Sequence, residues 1–255
     1  MGNNIQKVSF VGYGNVSSHL IEALNKKNIE VTHVLVRSAE KHNENDLNFI
    51  SNYSDLPKNQ LTFVCVPDNE IIEVVSKIEE SCPVAYTSGS VSLTEFYNRK
   101  KIGVFYPLQT FTKGVYLEIQ QVPFFIESES VSFGEQLFEL AKTLSSNVKY
   151  ANSEQRAKLH LAAVWVNNFT NHINYIAKDY LDAQELDFDD LIPLLQETVN
   201  KLVNNSPLNS QTGPARRGDS KVIDKHLKML PEMRKELYLK LSESIIKTYS
   251  KDDKL

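Results

Sequence analysis

Residues suited to acid–base chemistry stand out in a span in the second half of the chain, 159–177, which contains no Asp, Glu, Lys or Arg. Its polar members include His160, Asn167 and Asn168, where an exposed helix would carry lysine and glutamate. Histidine changes its protonation state near neutral pH, so His160 is the predicted proton donor to a substrate oxygen or nitrogen. Either asparagine could orient that substrate. The alternative is a buried helix whose amides and imidazole bond to neighbouring backbone.

Three further candidates follow apolar, strand-like runs earlier in the chain. Ser88 could donate a hydrogen bond to a substrate, or it could simply complete a turn. Tyr106 and Gln109, in the segment Tyr-Pro-Leu-Gln, are predicted to line the substrate side of the same site.

A cationic segment, 212–219, lies much later in the chain. Arg217 in this segment is predicted to clamp an anionic substrate by charge-assisted hydrogen bonds. Asp219 is the expected N-cap of the helix that follows. No role follows from the sequence for His226, seven residues further on.

The start of the chain has the pattern of a dinucleotide-binding turn. An apolar run leads to Gly12, Tyr13 and Gly14, and a helical pattern begins at Asn15 and Val16. A strand, a glycine turn and a helix in this order bind a pyrophosphate at the positive end of the helix. The first glycine permits the tight turn, and the second lets the backbone approach the phosphates. These five residues are therefore predicted to bind the cofactor.

The end of the second predicted strand indicates which dinucleotide is bound. In NAD-binding units an acidic residue at this point binds the ribose hydroxyls. Here the strand ends in Arg37 and Ser38, without a carboxylate. A guanidinium can bind a 2′-phosphate with paired hydrogen bonds, so NADP is the predicted cofactor, although a solvated surface arginine is the alternative. Val66 and Pro67, after a later strand, are expected to line the same cleft.

The elements that must position these residues fall into two groups. Short apolar runs alternate with helical patterns up to about residue 150, which predicts an α/β fold with a Rossmann-like, mostly parallel sheet. After Ala151 only long helical patterns remain. We therefore predict an NADP-binding domain over 1–152 and an all-α domain for substrate binding and dimerisation over 153–255. Hydride transfer would take place in the cleft between them. In that cleft Asn167 or Asn168 could orient the nicotinamide carboxamide instead of the substrate.

The uncharged span 159–177 also predicts a homodimer. A helical domain of about 100 residues would struggle to cover both sides of such a helix.

Composition excludes several classes of protein. The chain has 255 residues, with 28 basic and 32 acidic side chains and a net charge of -4, which argues against nucleic-acid binding. No apolar run is long enough to cross a membrane and no signal peptide is recognisable, so a cytoplasmic location is expected. Two cysteines cannot form a disulfide framework, and no metal site is predicted.

Three other segments complete a recognisable pattern: Thr87-Ser88-Gly89-Ser90, the run 106–111, and 212–219 with His226-Leu227 beyond it. Together with the glycine turn they resemble an uncharacterised family of predicted NADP oxidoreductases. That family belongs to the 6-phosphogluconate dehydrogenase-like superfamily, with pyrroline-5-carboxylate reductase and the deazaflavin-dependent NADP reductases. The resemblance covers nearly the whole chain. It implies a Rossmann-like domain, a helical C-terminal domain of unknown function and oxidoreductase activity, but no particular substrate.

The chain departs from this family at several positions. Ser17 replaces the usual glycine, and Tyr86 and Tyr106 stand where the family often has histidine. Relatives with a catalytic lysine place it four residues before an asparagine, whereas Lys158 here precedes Ala162 at that spacing. The lysine mechanism therefore does not carry over. Two other functions stay open: deazaflavin–NADP hydride exchange, and an NADP-binding sensor or scaffold without turnover.

Overall fold

The computed structural model describes residues 5–42 and 46–250. The chain divides into two compact units, Met1–Ile173 and Asn174–Leu255. By this division the helix that carries His160 belongs to the first unit. The assignment of functional domains on either side of residue 152 stays a prediction.

The first unit is built on an eight-stranded sheet with the order β3-β2-β1-β4-β5-β6-β7-β8. Only the β6–β7 pair is antiparallel, so the predicted mostly parallel Rossmann-like sheet is confirmed. The strands are β1 (Lys7–Val11), β2 (Glu30–Leu35), β3 (Phe49–Ile50), β4 (Leu61–Val64), β5 (Val84–Tyr86), β6 (Ile102–Pro107), β7 (Phe124–Ser128) and β8 (Val148–Tyr150).

Helices cover both faces of this sheet because its strands are apolar on both sides. Phe10 of β1 and Phe63 of β4 lie in one buried cluster, with side chains of α1 (Asn15–Lys26) and α3 (Val131–Leu144). Neighbouring residues such as Val11 and Val64 point to the other face, against α2 (Ile71–Lys77). The parallel strands consequently end at one common edge, where the glycine turn and the residues after β2, β4, β5 and β6 are brought together.

One long helical stretch follows β8 and differs from its prediction. It consists of α4 (Ser153–Ala163), a π-helical segment (Val164–Phe169) and α5 (Thr170–Asp182). Asn152 caps α4 by accepting a hydrogen bond from the Gln155 N–H. Because a π-helical turn holds more residues than an α-helical one, side chains beyond Ala163 lie on other faces than a regular α-helix would give them.

The second unit contains only helices among its described residues, in agreement with the predicted all-α region. After the end of α5 these are α6 (Ile192–Asn204), α7 (Pro207–Ser210), α8 (Pro214–Arg217), α9 (Ser220–Met229) and α10 (Glu232–Tyr249). Gly213 and Gly218, both with positive φ, lie at the two ends of α8. Among the described helices, none combines the length and the apolar character that a membrane span requires.

Candidate functional site

The glycine turn after β1 has the conformation that its sequence predicts. Gly12 has a φ of 95°, and a Cβ at this position would overlap the carbonyl oxygen of Cys65. No other residue type fits there without displacing the end of β4. Gly14 is the N-cap of α1, and a Cβ built on it meets no atom within 4 Å. The missing side chain therefore keeps open space above the first turn of the helix.

This open space fits the pyrophosphate of a dinucleotide. The first N–H groups of α1, at Asn15 and Val16, have no carbonyl four residues earlier in the helix, so they can bind an anion. The first turn of α1 carries no acidic residue. Ser17, the departure from the usual motif, is fully buried, and its hydroxyl accepts a hydrogen bond of 2.7 Å from the Gly14 N–H. The serine thus stabilises the turn by a hydrogen bond and leaves the space above Gly14 open.

Arg37, just beyond the end of β2, is paired with a carboxylate that comes from elsewhere in the chain. Its Nη2 lies 2.9 and 2.8 Å from the two carboxylate oxygens of Glu70. Glu70 ends the short 3-10 turn Asp68–Glu70, which follows Val66 and Pro67. Val66 is half-buried after the end of β4, with its side chain next to Gly12, whereas Pro67 is exposed. A carboxylate is therefore present at the end of β2, contrary to the expectation from the local sequence.

Replacing Glu70 with glutamine is expected to strengthen NADP binding by up to about fivefold. The Arg37 side chain is 88% exposed, and exposed ion pairs stabilise by only about 0–1 kcal/mol. Removing this partner releases the guanidinium and takes a negative charge away from the incoming phosphate. Calorimetric titration of both proteins with NADP measures the effect, and weaker binding by Glu70→Gln would contradict it.

The residues after β5 and β6 form a compact arrangement with α4. The Tyr106 ring lies against the backbone of Gly89, where an added Cβ would be 2.5 Å from Cζ and 2.8 Å from the hydroxyl. The Tyr106 hydroxyl is 3.3 Å from Nδ1 of His160. Burial, together with the nearby Asp68 carboxylate, raises the pKa of Tyr106 to about 12. Tyr106 therefore keeps its proton at neutral pH, and its hydroxyl can either donate to Nδ1 of His160 or accept from an Nδ1–H, depending on the tautomer of the imidazole.

A buried arginine that the sequence did not single out holds α4 in this position. Arg156 is fully buried, one helical turn before His160, and its guanidinium pairs with the Glu127 carboxylate of β7. It also donates a 2.8 Å hydrogen bond to the carbonyl oxygen of Val91, in the segment that follows Gly89. Residues four apart lie on one helix face, so anchoring Arg156 turns His160 toward Tyr106. In the sequence it is one of six arginines, and its partners are far away in the chain.

The other predicted loop residues have mainly local contacts. The buried Ser88 hydroxyl accepts hydrogen bonds from the N–H groups of Ser90 and Val91, at 3.1 and 3.0 Å. This geometry favours the turn role that was the alternative for Ser88. Gln109 is exposed, and its side-chain oxygen accepts a 2.8 Å bond from the N–H of Thr110. Their roles toward a substrate stay predictions.

Asn167 and Asn168 are exposed within the π-helical segment. Single π-helical turns occur frequently at functional sites. Among the residues that the structure describes, neither amide has a hydrogen-bond partner. The expected burial of this helix on both sides does not hold within one chain, because Trp165 and Val166 are also exposed.

The segment 212–219 lies in the second unit. The Asp219 carboxylate accepts a hydrogen bond from the Val222 N–H at 3.1 Å, so its predicted capping role is confirmed. Arg216 stacks on the Tyr249 ring, with 4.2 Å from Cζ to the ring centroid. The Arg217 side chain is exposed and has no ion pair with a described residue. His226 Nδ1 is 2.7 Å from the Tyr238 hydroxyl. No cluster of potential metal ligands occurs in residues 5–42 and 46–250.

Comparison with known proteins places this geometry in a family. Residues 122–245 match the model of a domain of unknown function, DUF2520. The crystal structure of a putative NADP oxidoreductase from Bacteroides fragilis is 34% identical to this chain. The match covers 95% of this chain and 98% of that one, with a TM-score of 0.87. The chain belongs to the family of this Bacteroides protein. Among curated proteins, none matches its sequence.

Two more distant structures share the fold of this family. An imine reductase from Myxococcus stipitatus in complex with NADP+ is 13% identical, with a TM-score of 0.64 over 97% of this chain and 94% of that chain. A pyrroline carboxylate reductase from Plasmodium falciparum with NADP bound is 12% identical, with a TM-score of 0.61 over 95% of this chain and the whole of that one. The DUF2520 match includes His160, Asn167, Asn168 and Arg217, while the glycine turn and Arg37 precede it.

Proposed function

We propose that this chain is an NADP-dependent oxidoreductase that exchanges a hydride between the cofactor and a small substrate. The observation that carries the proposal is the glycine turn, with open space above Gly14 and a cationic side chain, Arg37, beyond the next strand. Membership in the family of the Bacteroides protein supports the same cofactor. Arg217 is proposed to bind an anionic group of the substrate.

Different residues around the turn would bind different parts of the cofactor. The backbone of Gly12–Val16 would hold the pyrophosphate, Arg37 and Ser38 the 2′-phosphate, and Val66 with Pro67 the apolar wall of the cleft. When bound, NADP(H) supplies or accepts the hydride.

His160 would handle the proton that accompanies this transfer. As the proton donor, the imidazolium of His160 would donate its Nδ1–H to the Tyr106 hydroxyl oxygen and present its Nε2–H to a substrate oxygen or nitrogen. Loss of the Nε2 proton would then leave a neutral imidazole. Tyr106 is a positioning residue, since its raised pKa keeps its hydroxyl protonated and uncharged over the working pH range. Ser88 and Gln109 would complete the substrate side, and Asn167 or Asn168 would orient the substrate or the carboxamide.

A screen that follows NADPH absorbance with keto acids, imines and a deazaflavin tests the proposal. Consumption of NADPH that depends on a keto acid or an imine supports it. Turnover with the deazaflavin alone would favour hydride exchange between two cofactors instead. Tight NADPH binding without turnover on any compound would favour a sensor or scaffold.

The proposal includes a homodimer formed through the exposed apolar residues of the long helical stretch, among them Trp165, Val166 and Phe169. Contiguous apolar surface of this kind usually marks an interaction site. Light scattering at micromolar concentration is expected to give about twice the chain mass of 29.0 kDa. Val166→Lys should yield monomer. Val131→Lys, on α3 and equally exposed at 75%, is the matched control and should stay dimeric. A monomeric wild type would refute the dimer.

A further inference from the structure

The segment between β6 and β7 crosses the glycine turn. Phe111 is buried, with its ring 5.3 Å from the His19 imidazole of α1. The backbone N–H of Lys113 donates to Oδ1 of Asn15 at 3.1 Å, and Nε2 of His19 is 2.9 Å from the Val115 carbonyl oxygen. Residues 111–115 are therefore attached to the first turn of α1 at three points.

These attachments place a lysine at the predicted pyrophosphate site. The Lys113 ammonium lies over the Tyr13 ring, 4.0 Å from its centroid. Lys113 contacts Tyr13 and Asn15, which flank Gly14 on either side. The Lys113 side chain is exposed, so the ammonium can turn from the ring toward an anion above Gly14.

The glycine turn itself gives a reason for an added cation. The Ser17 hydroxyl accepts the hydrogen bond of the Gly14 N–H, which leaves one fewer backbone donor for a phosphate. No arginine or lysine lies in the turn from Gly12 to Ser18. A cation from the crossing segment would replace the lost donor and add charge that the negatively charged pyrophosphate favours.

We propose that Lys113 binds the pyrophosphate of the cofactor. The assignment rests on the proposed function, because it requires that the turn bind a dinucleotide. The pyrophosphate is the chosen partner, and not the 2′-phosphate, because Tyr13 and Asn15, which Lys113 contacts, flank Gly14, whereas Arg37 lies beyond the end of β2. Lys113 should therefore strengthen the binding of NADP and of NAD to a similar extent.

The test is calorimetric titration of Lys113→Gln and Lys113→Arg with NADP and with NAD. Lys113→Gln is expected to weaken both dinucleotides by a similar factor, about 5- to 30-fold, and to reduce the salt dependence of binding. Lys113→Arg should stay within about threefold of wild type because it keeps the charge. The control is Lys149→Gln, an exposed lysine on β8 at the far end of the sheet, which should bind like wild type. Thermal unfolding verifies that each variant is folded.

Unchanged affinity of Lys113→Gln for both dinucleotides would overturn the proposal and leave the proposed function intact. A loss confined to NADP would place the ammonium on the 2′-phosphate and would also overturn it. If wild type bound neither dinucleotide, the proposed function itself would fail, and this assignment with it.

Discussion

Replacing His160 with alanine is expected to lower kcat by about 10²- to 10⁴-fold, the range for loss of a positioned general acid. The dissociation constant for NADP should stay within about twofold, since the glycine turn and Arg37 do not contact this side chain. Tyr106→Phe should lower kcat by about tenfold, because the imidazole loses the hydrogen bond at Nδ1 that directs Nε2 toward the substrate. Both effects are measured with a substrate from the NADPH screen.

His226 provides a matched control for this prediction. Its Nδ1 also lies beside a tyrosine hydroxyl, that of Tyr238, at 2.7 Å, but the proposed reaction assigns it no role. His226→Ala should therefore retain wild-type kcat. A His160→Ala enzyme with wild-type kcat, or one as active as His226→Ala, would remove His160 from the chemistry. The cofactor assignment would survive that result, because it depends on other residues.

Arg37→Ala is expected to weaken NADP binding by about 10- to 150-fold, while NAD binding changes little. A hydrogen-bonded charge pair of this kind contributes about 1.5–3 kcal/mol, and each 1.4 kcal/mol is about tenfold in affinity. The existing contact with Glu70 offsets only part of this, because exposed ion pairs stabilise by about 1 kcal/mol at most. Calorimetry on wild type and variant measures both cofactors.

The effect of Arg37→Ala on NAD binding shows whether Arg37 selects NADP over NAD or contributes equally to the binding of both. Equal weakening of NADP and NAD would show that Arg37 acts on the shared part of the dinucleotide, or that the variant disturbs the turn. Ser38→Ala, at the neighbouring position, should produce a smaller loss that is again confined to NADP.

Local patterns predicted the sheet and most helices well, because each depends on residues close in sequence. The apolar run before the glycine turn is β1, and Gly12 has the positive φ that its motif implies. β3 consists of only two residues, Phe49–Ile50, which is too short to show a periodicity in the sequence. The π-helical segment has no distinguishing side-chain pattern, so the sequence predicted one regular helix.

Long-range pairings limited the prediction of the site. Glu70 reaches Arg37 from 33 positions further along the chain, and Arg156 meets Glu127 and Val91 only after the sheet has formed. By contrast, the predicted approach of Tyr106 to His160 followed from a general rule. Residues after parallel strands gather at one edge, and the first helix after the sheet returned to that edge. The hydrogen bond between them agrees with the predicted centre, whose catalytic role stays a prediction.

The central claim, that this chain binds NADP in preference to NAD, is tested most directly by titrating the wild-type protein with NADP and NAD under identical conditions. The arrangement of Gly12, Gly14 and Arg37 predicts that NADP binds at least about tenfold more tightly, a difference of about 1.4 kcal/mol. Equal affinity for the two dinucleotides would contradict the cofactor assignment, and absence of binding to either would contradict the proposed function as a whole.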